Sequence, residues 1–206
     1  MTRARTAKAA KVAKPLRADA ARNRARVLEV ALEAFAAEGL SVPIDEIARR
    51  VGVGVGTLYR HFPTKEALFA AIVLDRMARL VAEARGRANA EDPGAAFFEF
   101  LELFVEEAAA KRDLHDAIKD GGFEMPASLR RDMRDAIGTL LERARAAGAV
   151  RADVGVDEVI ALVKGTFMAI AGIRGAGAAS RRRVLAIVCD GLRARAGRAP
   201  TRKEGR

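Results

Sequence analysis

Apolar residues recur at three- and four-residue spacing through nearly the whole chain, and the alternation that a half-buried strand needs is almost absent. β-Branched runs are short as well. The pattern predicts an all-α fold of about nine helices. The first is expected over about 19–38, where Val27, Leu28, Ala31, Leu32, Ala34 and Phe35 share a face and Gly39 supplies the stop. A second starts at Pro43, a residue tolerated at a helix start. Asp45 and Glu46 fall in its first turn, where the helix dipole favours acids, and Ile44, Ile47, Ala48 and Val51 form its inner stripe up to Gly52.

The third element, about 54–61, spans only two turns, too short to be stable alone. Leu58 and Phe62 must therefore pin it to the first two helices, which leaves Val55, Gly56, Thr57, Tyr59 and His61 facing outward. Pro63 ends it, and Thr64 caps a fourth helix, about 65–87, whose inner stripe is Leu68, Ile72, Met77, Leu80 and Val81. The run NAEDPG at 89–94 is the clearest linker. Beyond it, helices are expected over about 93–111, 113–120, 127–147, 156–174 and 180–196, and no repeat of 20–50 residues is present.

A helix of about nine residues, a glycine-centred three-residue turn and a helix of about seven form the layout of a helix-turn-helix, whose second helix is offered to the DNA major groove. The residues suit that task. Gly54, Val55 and Gly56 are small enough to let backbone approach a duplex, and Thr57 can hydrogen-bond a base edge or give its methyl to thymine. Tyr59, His61 and Lys65 bring a hydroxyl, an imidazole and an ammonium within reach of phosphate oxygens.

The pattern Ile47-Ala-x-x-Val-Gly-Val-x-x-Gly-Thr-Leu-Tyr-Arg-His-Phe62, continued by Pro-Thr-Lys-Glu-Ala-Leu to Leu68, resembles the DNA-binding domain of the TetR family of bacterial transcriptional regulators over about residues 20–70. Carried over position by position, the resemblance implies that Thr57, Tyr59, His61 and Lys65 touch DNA and that Val55 and Gly56 face bases. Two positions depart from the family pattern. Gly54 stands where many members have a Ser cap, and Pro43 where many have a Thr or Ser that also contacts phosphate.

Past residue 90 the likeness is one of architecture. The turn 146–159 followed by an apolar helix resembles the family's approach to its last two helices, which pack against their copies in a two-fold dimer. The implied seam residues are Val163, Phe167, Ile170, Val184, Ile187 and Val188, and such a dimer would set two reading heads the ~34–36 Å apart that successive major grooves require. An apolar or aromatic effector is expected among Phe97, Phe100, Phe104, Ile118, Phe123, Met133 and Phe167, with His115 as a polar group able to orient it; a Phe and Met stripe at helical spacing equally describes ordinary core. The implied activity is repression of a double-stranded, palindromic operator, relieved by the effector, with no cofactor.

The division expected is a basic arm without fixed structure (1–17), a helix-turn-helix domain (18–63), an effector and dimerisation domain (64–196) entered by the connecting helix 64–87, and a basic tail (197–206). Charge follows this division. The net charge is +10, yet residues 1–26 hold nine Lys/Arg against one Asp and residues 193–206 six against one Glu, so the body is slightly acidic. Basic ends attract a phosphate backbone without specifying sequence, which keeps a sequence-indifferent architectural DNA protein as the alternative; solvated tails, or a transit peptide at the N-terminus, explain the same residues. Enzyme chemistry is disfavoured by two His residues in separate domains, a single Cys, and the lack of a nucleotide loop or metal-ligand spacing. No stretch approaches the ~18 apolar residues of a membrane span, and Cys189 as sole cysteine suits a reducing cytoplasm.

Overall fold

A computed structural model describes residues 3–39, 41–109, 124–172 and 178–194. Among these residues lie eight helices: α1 (Arg3–Glu38), α2 (Ile44–Val51), α3 (Val55–His61), α4 (Lys65–Arg87), α5 (Pro93–Ala109), α6 (Ala127–Ala146), α7 (Val156–Gly172) and α8 (Ala178–Leu192). The sheet pairing found among them is one isolated antiparallel bridge between Val150 and Arg193. The short helix expected over 113–120 lies outside the described residues. α1 begins at Arg3, well before the start near Asp19 that the apolar periodicity predicts. The added turns are rich in Ala, Arg and Lys, which are strong helix formers whether or not they bury a face.

Packing divides the helices into two compact units, and the division falls inside α4, after Arg76. Leu68, Phe69, Ala71 and Ile72 are buried with the first three helices, so the start of α4 is core to the first unit and its end to the second. In the first core, Val27, Leu28, Ala31, Ala34 and Phe35 of α1 meet Ile44, Ile47, Ala48 and Val51 of α2. The Phe35 and Phe69 rings pack with centroids 4.4 Å apart.

Local chemistry fixes the ends of these helices. Gly52 has φ 79°, a left-handed conformation that side chains resist, and it closes α2 by donating its N–H toward Ala48 and Arg49 while the Val53 N–H returns to Ala48. Thr64 caps α4, its Oγ1 accepting the Ala67 N–H at 3.1 Å. Asp92 does the same for α5, accepting the Ala95 N–H at 2.9 Å just ahead of Pro93.

The second core is built on α5, whose Phe97, Phe98, Phe100, Leu101 and Val105 pack against Ile137, Leu140 and Leu141 of α6 and Val159, Val163 and Ile170 of α7. Its last described residues are fastened mid-chain. The Arg151 N–H donates to the Leu192 carbonyl and the Ala194 N–H to the Ala149 carbonyl, each at 3.0 Å, and the Arg193 guanidinium lies 4.2 Å from the centroid of the Phe98 ring. Among the described residues, no helix is long and apolar enough to cross a membrane.

Candidate nucleic-acid interface

α3 has only seven residues, and two side chains hold it. Leu58 is 1% exposed and Phe62 4%, both inside the first core. Burying each is worth roughly 1.5–3 kcal/mol, enough to fix a helix that would not survive alone. The rest of α3 faces solvent. Gly54, Val55, Gly56, Thr57, Tyr59, Arg60 and His61 are all exposed, the large apolar Val55 and Tyr59 by 40% and 43%. A Cβ on Gly56 would meet nothing within 4 Å, so its contribution is a bare backbone rather than relief of a clash.

Lys65 is the expected contact residue that is not fully exposed. Its stem is half-buried and its ammonium lies 5.7 Å from the centroid of the Phe35 ring. A long amphipathic side chain can rest on an aromatic face in this way and still present its charge at the rim. Arg24 of α1 mirrors it, with its guanidinium 5.8 Å from the centroid of Phe62, the residue that closes α3. Sequence reasoning missed Arg24 because it is one of several spaced basic residues. Only the packing of α1 against Phe62 singles it out.

The Tyr59 phenol is held above its ordinary pKa, first by hydrogen bonding toward Asp45 in the first turn of α2 and then, more weakly, by burial and the Asp45 charge. Behind it, a chain of ion pairs ties α2 to the end of α1. Glu46 accepts from Arg49 at 2.8 Å and from Arg50 at 2.8 Å, and Arg50 also reaches Glu38. The Arg49 guanidinium, then that of Arg50, hold the Glu46 carboxyl down to about 2. All of these groups lie at the surface, so the network orients α2 more than it stabilises the fold.

The residues expected to line an effector pocket are mostly packed. Phe97 and Phe100 are fully buried and Met133 nearly so, in the second core, while Phe104 is half-buried with its ring 6.1 Å from that of Phe100. Phe167 is half-buried. His115, Ile118 and Phe123 lie outside the described residues. A cleft of about 160 Å³ opens elsewhere in this unit, lined by Arg85, Ala88, Asp135, Ala136 and Thr139, and shares none of the expected residues.

Of the expected seam residues, Ile187 is exposed, Phe167, Val184 and Val188 are half-buried, and Val163 and Ile170 are turned inward with Val159 and Thr166, one face of α7 that packs on the chain's own core. Val184 and Val188 rest partly on the same core. What α7 and α8 offer to solvent is Leu162 (41% exposed), Met168 (52%) and Ile187 (67%). Spacing alone showed an apolar helix, but an inner and an outer apolar face of one helix look alike until a neighbour covers one of them.

Residues 27–72 match the family model described as bacterial regulatory proteins of the tetR family, and residues 92–194 match that described as the C-terminal domain of SbtR-like transcriptional regulators. A TetR transcription regulatory protein of Mycobacterium vanbaalenii is 48% identical in sequence, with 87% of this chain and 99% of that one covered and a TM-score of 0.69. A TetR transcriptional regulator of Streptomyces coelicolor is 34% identical over 84% of this chain and 99% of that one, with a TM-score of 0.68. An HTH-type transcriptional regulator of Staphylococcus aureus is 44% identical over 54 residues, 26% of this chain and only 29% of that relative's length. A helix-turn-helix unit with a solvent-facing second helix, joined to a helical second unit that matches a regulator's C-terminal domain, is thus shared along nearly the full length of solved regulators, and the chain belongs to the TetR family of DNA-binding transcriptional regulators.

Proposed function

We propose that the protein is a cytoplasmic homodimeric repressor that binds a palindromic operator through α3 and is released by a small, largely apolar effector. The observation that carries the DNA-reading part is the outward set Val55, Gly56, Thr57, Tyr59 and His61 on a helix held by Leu58 and Phe62, with Lys65 and Arg24 placing cations beside its far end. Thr57, Val55 and the bare backbone at Gly56 meet base edges, while Tyr59, His61, Lys65 and Arg24 meet phosphates. Exposed Leu162, Met168 and Ile187 support a second copy as partner, and two-fold symmetry matches two half-sites one helical turn apart.

For the effector, α4 is the natural carrier, since its start belongs to the first core and its end to the second. Driving a two-state equilibrium from 1:99 to 99:1 needs about 5.5 kcal/mol of differential binding. At ~0.8 kcal/mol per buried methylene, a modest apolar ligand that fits only one state supplies it.

The test is selection from random 30 bp duplexes at near-physiological salt, followed by sequencing. An inverted repeat is the expected product. Retention of duplexes with no shared sequence, together with a steep salt dependence, would give the basic ends the leading role and make the protein a sequence-indifferent architectural binder.

A further inference from the structure

Arg60 stands at the middle of the outward face of α3. At about 100° of turn per residue, it is two residues from each anchor, Leu58 before it and Phe62 after it, and so lies opposite both. Tyr59 and His61 then fall on the two flanks. Arg60 is exposed, and among the described residues no hydrogen bond, ion pair or ring contact engages it. The arginines of α2 differ, since Arg49 and Arg50 are both bound to Glu46.

A helical side chain leans toward the N-terminus and covers the turn before its own. For Arg60 that turn holds Gly56, which has no side chain, and a Cβ there would meet nothing within 4 Å. The way across the helix is therefore open to the Arg60 guanidinium.

On the reading that α3 enters the major groove, its flanks face the two phosphate walls and the middle of its outward face looks to the groove floor, which base edges line. A guanidinium presents a fork of donors that matches the O6 and N7 acceptors of guanine. We propose that Arg60 is a specificity-determining residue that reads one guanine per α3 through a bidentate hydrogen bond, while Tyr59 and His61 on its flanks hold phosphates. The inference rests on the assignment of α3 as the DNA-facing helix.

The experiment repeats the selection from random 30 bp duplexes with the unmodified protein, Arg60→Ala and Arg60→Lys. Dissociation constants are then measured by fluorescence anisotropy on the recovered duplex, on single-pair variants of it and on a shuffled one. The unmodified protein is expected to demand a G·C pair that Arg60→Ala no longer demands, with the other positions kept. Replacing that pair should weaken the unmodified protein roughly five- to 150-fold and Arg60→Ala by less than about twofold. Arg60→Lys should retain part of that discrimination, since it keeps the charge and loses the fork; it carries the test if Arg60→Ala loses its helical circular dichroism. Lys65→Ala supplies the contrast by weakening every duplex alike. Equal weakening of every duplex by Arg60→Ala, with the salt dependence flattened by about one counterion, would make Arg60 a phosphate contact and overturn the proposal. Unchanged affinity and preference overturn it too, as does a preference lost at an A·T pair. Should the unmodified protein recover no shared sequence, the assignment of α3 fails and takes the proposal with it. That outcome is distinct from an inverted repeat whose every position survives Arg60→Ala, which sinks the role of Arg60 alone.

Discussion

The two units solve opposite problems with the same kind of helix. The first places almost everything of interest outside: a seven-residue helix is held by Leu58 and Phe62, and its remaining side chains are spent on solvent. The second turns its bulk inward, where Phe97, Phe98 and Phe100 share a core with α6 and α7, and Thr166 is the buried polar side chain among the described residues. A surface that reads a fixed object such as B-DNA tolerates little change of shape, so each outward position is tied to one chemical demand. A core tolerates exchange among apolar residues of similar volume, so its members are individually less telling.

That contrast can be broken first by cavities. Phe100→Ala should cost about 3–5 kcal/mol in denaturant unfolding and Leu58→Ala about 2–5. The two losses should differ in reach. Leu58→Ala should abolish DNA retention outright because α3 has no other firm hold besides Phe62, whereas Phe100→Ala, under conditions where it remains folded, should still bind DNA. Equal loss of binding in both would show that the units do not divide their labour as their cores suggest.

Next in size are the outward side chains. Tyr59→Phe, Lys65→Ala and Arg24→Ala should each weaken DNA binding by about 1–2 kcal/mol, read as dissociation constants, while changing thermal stability by less than about 0.5 kcal/mol. Lys65 and Arg24 should also flatten the salt dependence by about one counterion each, and Tyr59 should not. A smaller effect in the other direction is expected from Gly54→Ser. A Cβ there would sit 3.6 Å from the Thr57 Oγ1, an ordinary contact, and the new hydroxyl can cap α3, so unfolding should shift by a few tenths of a kcal/mol toward greater stability.

The smallest effect is electrostatic. The paired Glu46 carboxyl titrates near 2 rather than 4.5, so the stabilisation its arginine partners bring is complete above its ordinary value and fades as pH falls toward 2. Acid unfolding of Glu46→Gln should therefore show a shallower pH dependence in that window than the unmodified protein. An identical profile would mean that the pairing leaves no trace in solution.

How much of this was legible in the sequence differs by unit for the same reason. The α2 and α3 bounds, the left-handed Gly52, the Thr64 cap and the inward pair Leu58 and Phe62 were all readable, because each depends on residues within one or two turns. What escaped depends on long-range packing. The Arg24 guanidinium meets the Phe62 ring only through the packing of α1, and the outward phase of α7 is settled by α5 and α6 rather than by α7 itself. The first core's claim on the start of α4 was hidden likewise, since its apolar stripe runs unbroken from Leu68 to Val81.

The clasp formed by Arg193 and Ala194 bears on how the protein is made. Arg193 and Ala194 close onto residues 149–151 and Phe98, so the second unit contains contacts that join its middle to nearly the last residues described. Among the described residues, the first core is drawn from Val27 to Ile72. With synthesis at roughly 5–20 residues per second, those residues are made several seconds before the clasp of the second unit can latch. Until then the emerging chain carries an unfinished apolar core, and it is that core which a chaperone would have to shelter.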